Sequence, residues 1–409
     1  MQLYRLANAL ARQGHEVDVI HCVDSYDMLA AGRKMGPALG NHPNVTVHSL
    51  RSRTGRLSPL VAQQTGSTWP KTKEILQVLY SKKFDVIHYH NISLLGPKVL
   101  QLEPDYHDFI KLYTTHEHWL VCPMHVLWKN NERVCDKPEC LRCTLKFRRP
   151  PQWWRYTGLL GKSVRAVDTF VSPSEFTRQM HQERGFQPPM SVVPNFVPEV
   201  DQDPSAVETS PHSRPYFLCV ARLEKIKGVE TLLPAFRGYQ PADLLIAGTG
   251  TYEAEVRRQA AGMTNVHFLG SLSQEQLGGF YRQAIALLVP SSGYETFGLI
   301  MLEAFLRQTP VIARALGGLT EVVEQSQGGL LYRSSEELLA AMERVRTDAV
   351  LRQEMGERGY RAYRERWDES AHLETYLRLL EETALRKLGR IPWHEPARAS
   401  LRFPATAPA

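Results

Sequence analysis

The chain has 409 residues, more than one ordinary hydrophobic core holds, so we expect two domains or at most three. Hydrophobic residues make up 43% and charged residues 22%, which is a globular and not a disordered composition. The net charge of +6 is a weak bias toward anionic partners and too small for a dedicated nucleic-acid-binding protein. No apolar run reaches the ~18 residues of a membrane span, and the first residues lack the features of a secretory signal. We therefore expect a cytoplasmic protein without membrane-spanning segments.

Helices and short apolar strands alternate through the first half of the chain. A helix is predicted over residues 2–13, where apolar side chains recur at helical spacing and Gly14 stands at the C-terminal cap position. Strand patterns cover residues 16–23, 45–50, 84–90, 110–115, 167–172 and 191–195. This alternation predicts an α/β fold with a parallel sheet.

A second alternating series follows a polar, proline-rich stretch over residues 198–214, which we interpret as a linker between domains 1–197 and 215–370. Its strand patterns cover residues 216–220, 243–247, 266–269, 284–289 and 311–313. Two similar units predict a cleft between them. A C-terminal helix over residues 371–390 is expected to pack back on the first domain, and residues 391–409 are expected to form a disordered tail.

The richest motif for ligand binding spans residues 290–303, where a predicted strand ends and a helix begins near Gly298. The unpaired amides and the positive dipole end of a helix N-terminus suit a phosphate. Glu295 precedes the helix and Glu303 lies inside it. Such carboxylates are often caps or solvent-exposed. Glu303 lies among apolar residues, however, where an unpaired charge is costly, so it needs a polar partner such as a ribose diol.

A basic loop follows the first strand of the second domain. Arg222, Lys225 and Lys227 stand at the carboxyl end of that strand, which faces the usual ligand crevice of a parallel sheet. A basic surface loop would have the same composition. In a phosphate site, Arg222 would act as a fork and Lys227 as a point charge.

Glycine turns and a histidine stand at further predicted strand ends. The turns at residues 248–250 and 317–318 would let a ligand approach the backbone. His116 ends a strand of the first domain at the edge of the crevice, although a lone histidine is more often structural. Glu253 occupies the position of the third glycine of the dinucleotide fingerprint, which argues against an oxidoreductase.

Taken in order, these motifs resemble one family, the retaining nucleotide-sugar glycosyltransferases of family 4 (glycosyl transferases group 1). That family has the GT-B fold, in which two Rossmann-like domains face a cleft. The motifs of the second domain are Arg222…Lys227-Gly228, Gly248-Thr-Gly250, Phe268-Leu-Gly270, Pro290-Ser291, Glu295-x7-Glu303 and Gly317-Gly318…Glu321. Those of the first are Gly14-His15-Glu-Val17, Asp85-Val-Ile-His88, His116, Val171-Ser-Pro-Ser174 and Val193-Pro-Asn195. The resemblance covers roughly residues 1–385.

The resemblance implies roles for single residues. Glu295 would contact the donor sugar's hydroxyls, and His116 would line the sugar or acceptor side. Arg222 and Lys227 would neutralise the leaving diphosphate, which lowers the barrier without a catalytic metal. In the family's front-face reaction the departing phosphate takes the acceptor's proton, so no enzymic nucleophile is implied. The implied donor-binding positions are Glu303 at the ribose, the backbone of Phe297, Gly298 and Leu299, and also Gly248, Gly250, Gly318 and Glu321.

Two departures from the family pattern are visible. Residues 116–119 read His-Glu-His-Trp where many relatives read His-Asp-x-Trp, which would alter acceptor contacts. The family begins with a strand and a Gly-Gly loop before its first helix, and neither precedes helix 2–13 here. We therefore expect the first domain to lack its central first strand, and we expect the upstream reading frame to encode it.

Four of the six cysteines, Cys122, Cys135, Cys140 and Cys143, fall within 22 residues. In a reducing cytosol this set favours a structural zinc ion over disulfides, with Cys140 and Cys143 as a half-site. Unbonded or partly oxidised thiols are the alternative.

A basic, aromatic segment follows the cysteines. Between Arg142 and Arg155 the chain contains three more cations, three aromatic residues and no acid. This composition suits an anionic membrane surface, where lipid-linked acceptors would be found. A solvated loop with core tryptophans would look the same.

The sequence thus predicts a retaining glycosyltransferase that moves a sugar from a nucleotide-diphosphate donor to a glycan, a lipid-linked or a small-molecule acceptor. Its expected partners are that donor, the acceptor and the inner face of the cell membrane, without nucleic acid. The alternatives are a catalytically impaired nucleotide-sugar-binding relative and a GT-B-fold sugar-nucleotide epimerase or hydrolase. The Glu295/Glu303 pair argues against the epimerase or hydrolase.

Overall fold

The computed structural model describes residues 2–30, 40–55, 57–199 and 211–394, which form two α/β units. All six strand patterns predicted for the first unit are confirmed, with bounds that differ by at most three residues. The strands are β1 (Val17–Cys22), β2 (Val45–Leu50), β3 (Val86–Tyr89), β4 (Ile110–Thr114), β5 (Trp128–Lys129), β6 (Arg133–Val134), β7 (Thr169–Ser172) and β8 (Met190–Val192). The helices are α1 (Gln2–Arg12), α2 (Val23–Ala30), α3 (Leu57–Thr65), α4 (Thr72–Leu79), α5 (Cys140–Lys146), α6 (Leu159–Val164) and α7 (Glu175–Glu183).

The main sheet of the first unit is divided. β1 pairs in parallel with β2, while β3, β4, β7 and β8 form a second parallel sheet in that order. Within the described residues, no strand pairs with the second edge of β1 or with the outer edge of β3. The sequence predicts a gap in this sheet. The apolar face of α1, with Leu6 and Ala9, shares a core with Ile110 and Leu112 of β4.

The second unit is a doubly wound sheet. Its strands are β9 (Tyr216–Val220), β10 (Asp243–Ala247), β11 (Val266–Gly270), β12 (Leu287–Val289), β13 (Val311–Arg314) and β14 (Gly329–Tyr332). Its helices are α8 (Leu233–Phe236), α9 (Glu253–Gln259), α10 (Gln274–Gln283), α11 (Leu299–Phe305), α12 (Gly318–Ser326), α13 (Ser335–Thr347) and α14 (Ala349–Arg366). All six strands are parallel and lie in the order β11-β10-β9-β12-β13-β14. The chain adds strands toward one edge from β9 to β11 and toward the other edge from β12 to β14, so the direction of the connections changes between β9 and β12. Ligands of such sheets bind outside the carboxyl ends of the strands at this switch point.

A last helix, α15 (Glu369–Leu388), returns to the first unit. Leu373 and Tyr376 of α15 lie in the same core as Leu6 of α1, and His372 Nδ1 is 2.6 Å from the carbonyl oxygen of Pro194. Residues 391–394, predicted as part of a disordered tail, carry a 3₁₀ turn at Pro392–His394.

Parts of two predicted segments lie outside the described residues, namely 200–210 of the linker and 395–409 of the tail. Among the described helices, none combines the length and the apolarity that crossing a membrane requires.

Candidate functional site

The candidate site is centred on an ion pair at the switch point. Lys227 ends a 3₁₀ turn after β9, and Glu295 lies in the loop between β12 and α11. Lys227 Nζ is 2.6 Å from Glu295 Oε1, and Ser291 Oγ donates to the same oxygen at 2.7 Å. Burial raises the pKa of Glu295, but Lys227, Ser291 and Arg222 outweigh it, so the net pKa lies below its ordinary value. Both side chains of the pair stay about one-quarter exposed, at 24% and 23%, and can be reached by a ligand.

Glycines bring the neighbouring loops close to this pair. The Gly228 backbone is left-handed at φ +64°, and a Cβ there would lie 2.4 Å from Ser292 Oγ. The Gly318 amide donates to the carbonyl oxygen of Glu295 at 2.9 Å, and a Cβ on Gly318 would lie 2.9 Å from that oxygen. The two predicted glycine positions therefore fix the backbone around Glu295.

Two further predicted glycines support the basic loop. A Cβ on Gly248 would lie 1.9 Å from the carbonyl oxygen of Ala221, and one on Gly250 would lie 2.3 Å from that of Leu223. Larger residues at either position would displace the loop that carries Arg222. Arg222 itself is 74% exposed and pairs with Glu224 at 3.0 Å, so the structure places it at the rim.

Glu303 is buried at the base of the second unit's cleft face, on α11. Tyr281 Oη donates to Glu303 Oε2 at 3.2 Å and Gln274 Nε2 to Oε1 at 3.3 Å. Arg5 of α1 lies 3.6 Å from the same carboxylate. Side chains from both units therefore supply the polar partners that the sequence analysis expected for Glu303. Burial lowers the pKa of Arg5, and Glu303 partly offsets that effect.

The residues around the start of α11 divide into core and backbone positions. The Phe297 ring is 3% exposed and stands edge-on to Trp367, so its side chain belongs to the core. Gly298 caps α11 with a left-handed φ of +109°, and Leu299 is the first helical residue. These positions can contribute only backbone groups and partly buried apolar surface to a ligand.

The first unit contacts the loop between β12 and α11, which also carries Glu295. Thr296 Oγ1 donates to the carbonyl oxygen of His116 at 3.2 Å, and Ser174 Oγ donates to the carbonyl oxygen of Thr296 at 2.6 Å. Glu321 accepts hydrogen bonds from the amides of Glu175 and Phe176 at 3.1 and 3.0 Å. Glu321, expected at the donor, therefore caps α7 of the opposite unit in this structure.

His116 belongs to a group of part-buried histidines. His116 Nε2 is 2.8 Å from His90 Nδ1, and His88 Nε2 is 2.8 Å from Thr114 Oγ1. Burial lowers the pKa of His116 to about 4 and that of His88 to about 3, so both rings are neutral near pH 7. A small pocket opens beside them, and its other lining residues include Gln2, Asn195, Phe196 and Tyr376.

Sequence reasoning missed His90 and Arg5 as members of these two groups. The signal for His90 was present, because residues two apart on a strand share a face, and His88 was already singled out. Arg5 gave no such signal, since its contact with Glu303 joins residues almost three hundred positions apart.

The four clustered cysteines line one small pocket. They are free thiols, and burial together with neighbouring Cys135 raises the pKa of Cys140. Soft sulfur ligands around one pocket fit zinc. The thiols must still move together, because the one trio of ligand atoms within 4.8 Å of one another in the described residues lies elsewhere.

The comparisons with known proteins agree with this architecture. Residues 1–199 match the family described as Glycosyltransferase Family 4, and residues 201–362 match Glycosyl transferases group 1. An uncharacterized glycosyltransferase of Methanocaldococcus jannaschii is 31% identical over 379 residues, which cover 84% of this chain and 83% of its own length. A phosphatidyl-myo-inositol mannosyltransferase of Mycobacterium leprae is 30% identical over 39% of this chain and 44% of its own length.

Solved structures show the same fold. A sucrose-phosphate synthase from Thermosynechococcus elongatus aligns with a TM-score of 0.66 at 20% identity, over 93% of this chain and 92% of its own. HepE of Anabaena, solved in complex with UDP, aligns with a TM-score of 0.59 at 17% identity, over 83% and 87%. The chain belongs to glycosyltransferase family 4 and has the GT-B fold.

Proposed function

We propose that this glycosyltransferase uses a nucleotide-diphosphate sugar and transfers the sugar with retention, without a catalytic metal, at the Glu295–Lys227 pair. The observation that carries the proposal is the position of this quarter-exposed ion pair at the switch point of a doubly wound sheet. The solved HepE complex with UDP supports a nucleotide donor for a chain of this fold. So does a relative from Corynebacterium glutamicum, a GDP-mannose-dependent mannosyltransferase that is 28% identical over 47% of this chain.

Lys227 and Glu295 divide the work at the donor. Lys227 supplies a fixed positive charge where the diphosphate leaves, and the exposed Arg222 can add a second from the rim. Glu295 stays ionised and accepts hydrogen bonds from sugar hydroxyls. The bond from the anomeric carbon to the phosphate oxygen breaks, the acceptor oxygen bonds to that carbon on the same face, and its proton passes to the departing phosphate.

Glu303 holds the ribose in this proposal. Its carboxylate already accepts hydrogen bonds from Tyr281 and Gln274, which orient it, and its contact with Arg5 is the longest of the three at 3.6 Å. A ribose diol would compete with Arg5 for this carboxylate.

In this proposal, His116 and the small pocket beside it lie on the acceptor side. Because His116 is neutral near pH 7, it offers an uncharged hydrogen-bonding group to the sugar or to the acceptor. Thr296, which donates to the carbonyl oxygen of His116, couples this side to the donor loop.

A lipid-linked acceptor is the acceptor class that the surface favours. Leu145, Trp153 and Tyr156 are 57%, 59% and 66% exposed beside the basic segment, a composition suited to an anionic membrane. Two residues of the basic segment do not belong to that surface. Trp154 is buried, and Arg155 stacks on Trp154 and donates a hydrogen bond to a backbone oxygen. The relatives from M. leprae and C. glutamicum carry phosphatidylinositol substrates in their names.

We extend the proposal to a structural zinc ion at Cys122, Cys135, Cys140 and Cys143. The metal would stabilise the loop that carries the β5–β6 hairpin. The observation that supports this site is the shared pocket of free thiols.

A donor panel tests the proposal. The protein is incubated with UDP-, GDP- and ADP-sugars and with phosphatidylinositol, glycan and simple glycoside acceptors, and products are read by mass spectrometry and their anomeric configuration by NMR. We expect transfer with retention from one nucleotide class in the presence of a chelator. The divided sheet of the first unit favours one alternative, a binding protein without turnover. Nucleotide binding without transfer would support that alternative, and epimerised or hydrolysed sugar without an acceptor product would refute the transfer.

A further inference from the structure

Three metal-binding residue types meet at the amino-end edge of the second sheet. Asp243 is the first residue of β10, His267 is the second of β11, and His212 lies four residues before β9. The strands are neighbours, with Asp243 opposite Tyr216 and Leu245 opposite His267. The Glu295–Lys227 pair lies at the carboxyl ends of the same sheet. The cluster and the candidate site are therefore at opposite edges.

The ligand atoms of this cluster already converge. Asp243 Oδ2 is 2.7 Å from His212 Nε2 and 3.1 Å from His267 Nε2, and the three atoms lie within 4.8 Å of one another. No other described trio of histidine, cysteine, aspartate or glutamate ligand atoms is this close. Asp243 is 3% exposed and the histidines are 20% and 39% exposed, so a fixed carboxylate faces two imidazoles that open to solvent.

The two carboxylate oxygens of Asp243 are used unevenly. Both Nε2 atoms approach one carboxylate oxygen, while Asp243 Oδ1 is buried without a hydrogen-bond partner in the described part of the chain. Arg214 Nε is 3.4 Å from that second oxygen and orients the carboxylate from there. A cation between the histidines and Oδ2 would use all three lone pairs at once.

The spacing fits a small tetrahedral ion. With metal–ligand bonds of 2.0–2.1 Å, neighbouring ligand atoms of a tetrahedron lie roughly 3.3 Å apart. The contacts of 2.7 and 3.1 Å would therefore lengthen by roughly 0.6 and 0.2 Å, which the part-exposed imidazoles allow. Two imidazoles and one carboxylate suit Zn²⁺, Co²⁺ or Ni²⁺, whereas Ca²⁺ and Mg²⁺ prefer all-oxygen sites.

We propose that His212, Asp243 and His267 form a site for a divalent transition-metal ion, best matched by Zn²⁺, with water as the fourth ligand. The ion would tie residues 211–215, where the chain enters the second domain, to β10 and β11. Its role is structural, because the switch point lies at the other edge of the sheet. Since the ion binds only the folded site, it would raise the melting temperature of the protein.

Metal titration of the full chain tests the site. The protein is dialysed against Co²⁺ in a competing chelator buffer, and bound metal is counted by elemental analysis. Absorption spectra separate this site from the cysteines, because only thiolates give intense charge-transfer bands with Co²⁺. We expect one equivalent of Co²⁺ in addition to any Co²⁺ that gives thiolate bands. His267→Ala should weaken its binding by more than about 100-fold, since even outer-shell changes cost about 10–100-fold.

Three variants complete the test. His212→Ala and Asp243→Asn should lose the same equivalent, and circular dichroism checks that each variant is folded. His21→Ala is the matched control, because His21 is a part-exposed strand histidine that contacts only Ser49 at 2.7 Å among the bonds described. Equal Co²⁺ stoichiometry and affinity in the wild type and His267→Ala, or thiolate-bound metal alone in the wild type, would overturn the proposal.

Discussion

Arg5 of the first domain lies 3.6 Å from Glu303 of the second, and each side chain is less than one-tenth exposed. Arg5→Ala leaves the buried carboxylate without its cation, so the free energy of unfolding should fall by about 3 kcal/mol. Arg12→Ala is the matched control, since Arg12 pairs with Glu369 at the surface, where an ion pair contributes less than about 1 kcal/mol. Urea unfolding measures both, and equal losses would contradict the buried-pair account.

Glu303→Ala should weaken nucleotide binding by about two decades, because the ribose loses a buried acceptor. Isothermal titration with UDP and GDP measures the affinity. Arg5→Ala serves as the comparison: if the ribose replaces Arg5 at Glu303, this variant should bind nucleotide at least as tightly as the wild type. Unchanged affinity in Glu303→Ala would remove Glu303 from the donor site.

The lowered pKa values of three histidines lead us to expect that the free energy of unfolding depends on pH. His116, His88 and His372 have folded pKa values of about 4, 3 and 4, mainly because of burial, against 6.5 in the unfolded chain. Below about pH 6.5 the unfolded state therefore binds protons that the folded state does not. Stability should fall as the pH drops toward 4, by about 1.4 kcal/mol per pH unit for each histidine.

Urea unfolding between pH 7.5 and 5 measures that slope. His116→Asn should reduce it by one histidine's share. A slope that is the same in His116→Asn and in the wild type would show that His116 is not held neutral by the fold.

The cysteine pocket predicts about one zinc ion per chain held by thiolates. Cys140→Ser should remove it and lower the melting temperature, because the metal contributes to folding. Cys22→Ser is the control, since Cys22 lies at the end of β1 and accepts a hydrogen bond from Ser25. Wild-type protein that is free of thiolate-bound metal yet as stable as zinc-loaded protein would contradict this site.

Local sequence patterns were sufficient to predict most of the strands and helices. Strand β10, for example, contains the continuous apolar run Leu244–Ala247, and buried parallel strands have this composition. β14 was missed, because it starts at Gly329 and its short apolar pattern resembles neither a long strand nor a helix. The hairpin of β5 and β6 has only two residues in each strand, too few for a periodic pattern.

The residues of the candidate site also differ in whether local sequence patterns could identify them. Glu295 and Lys227 could be found because each follows a strand of one parallel sheet, and such loops meet at one edge. The capping of α7 by Glu321 and the Arg5–Glu303 contact depend on how the two domains approach each other. No local periodicity encodes that approach, so sequence reasoning could not reach either contact.

The central claim is that the Glu295–Lys227 pair performs sugar transfer. Turnover of the donor–acceptor pair found in the panel tests it most directly, measured for Glu295→Gln, Lys227→Met and the exposed-helix control Glu357→Gln. We expect kcat to fall by about two to three decades in the first two variants, with nucleotide affinity changed only a few-fold, and to stay unchanged in the control. Full turnover in Glu295→Gln or Lys227→Met would contradict the account.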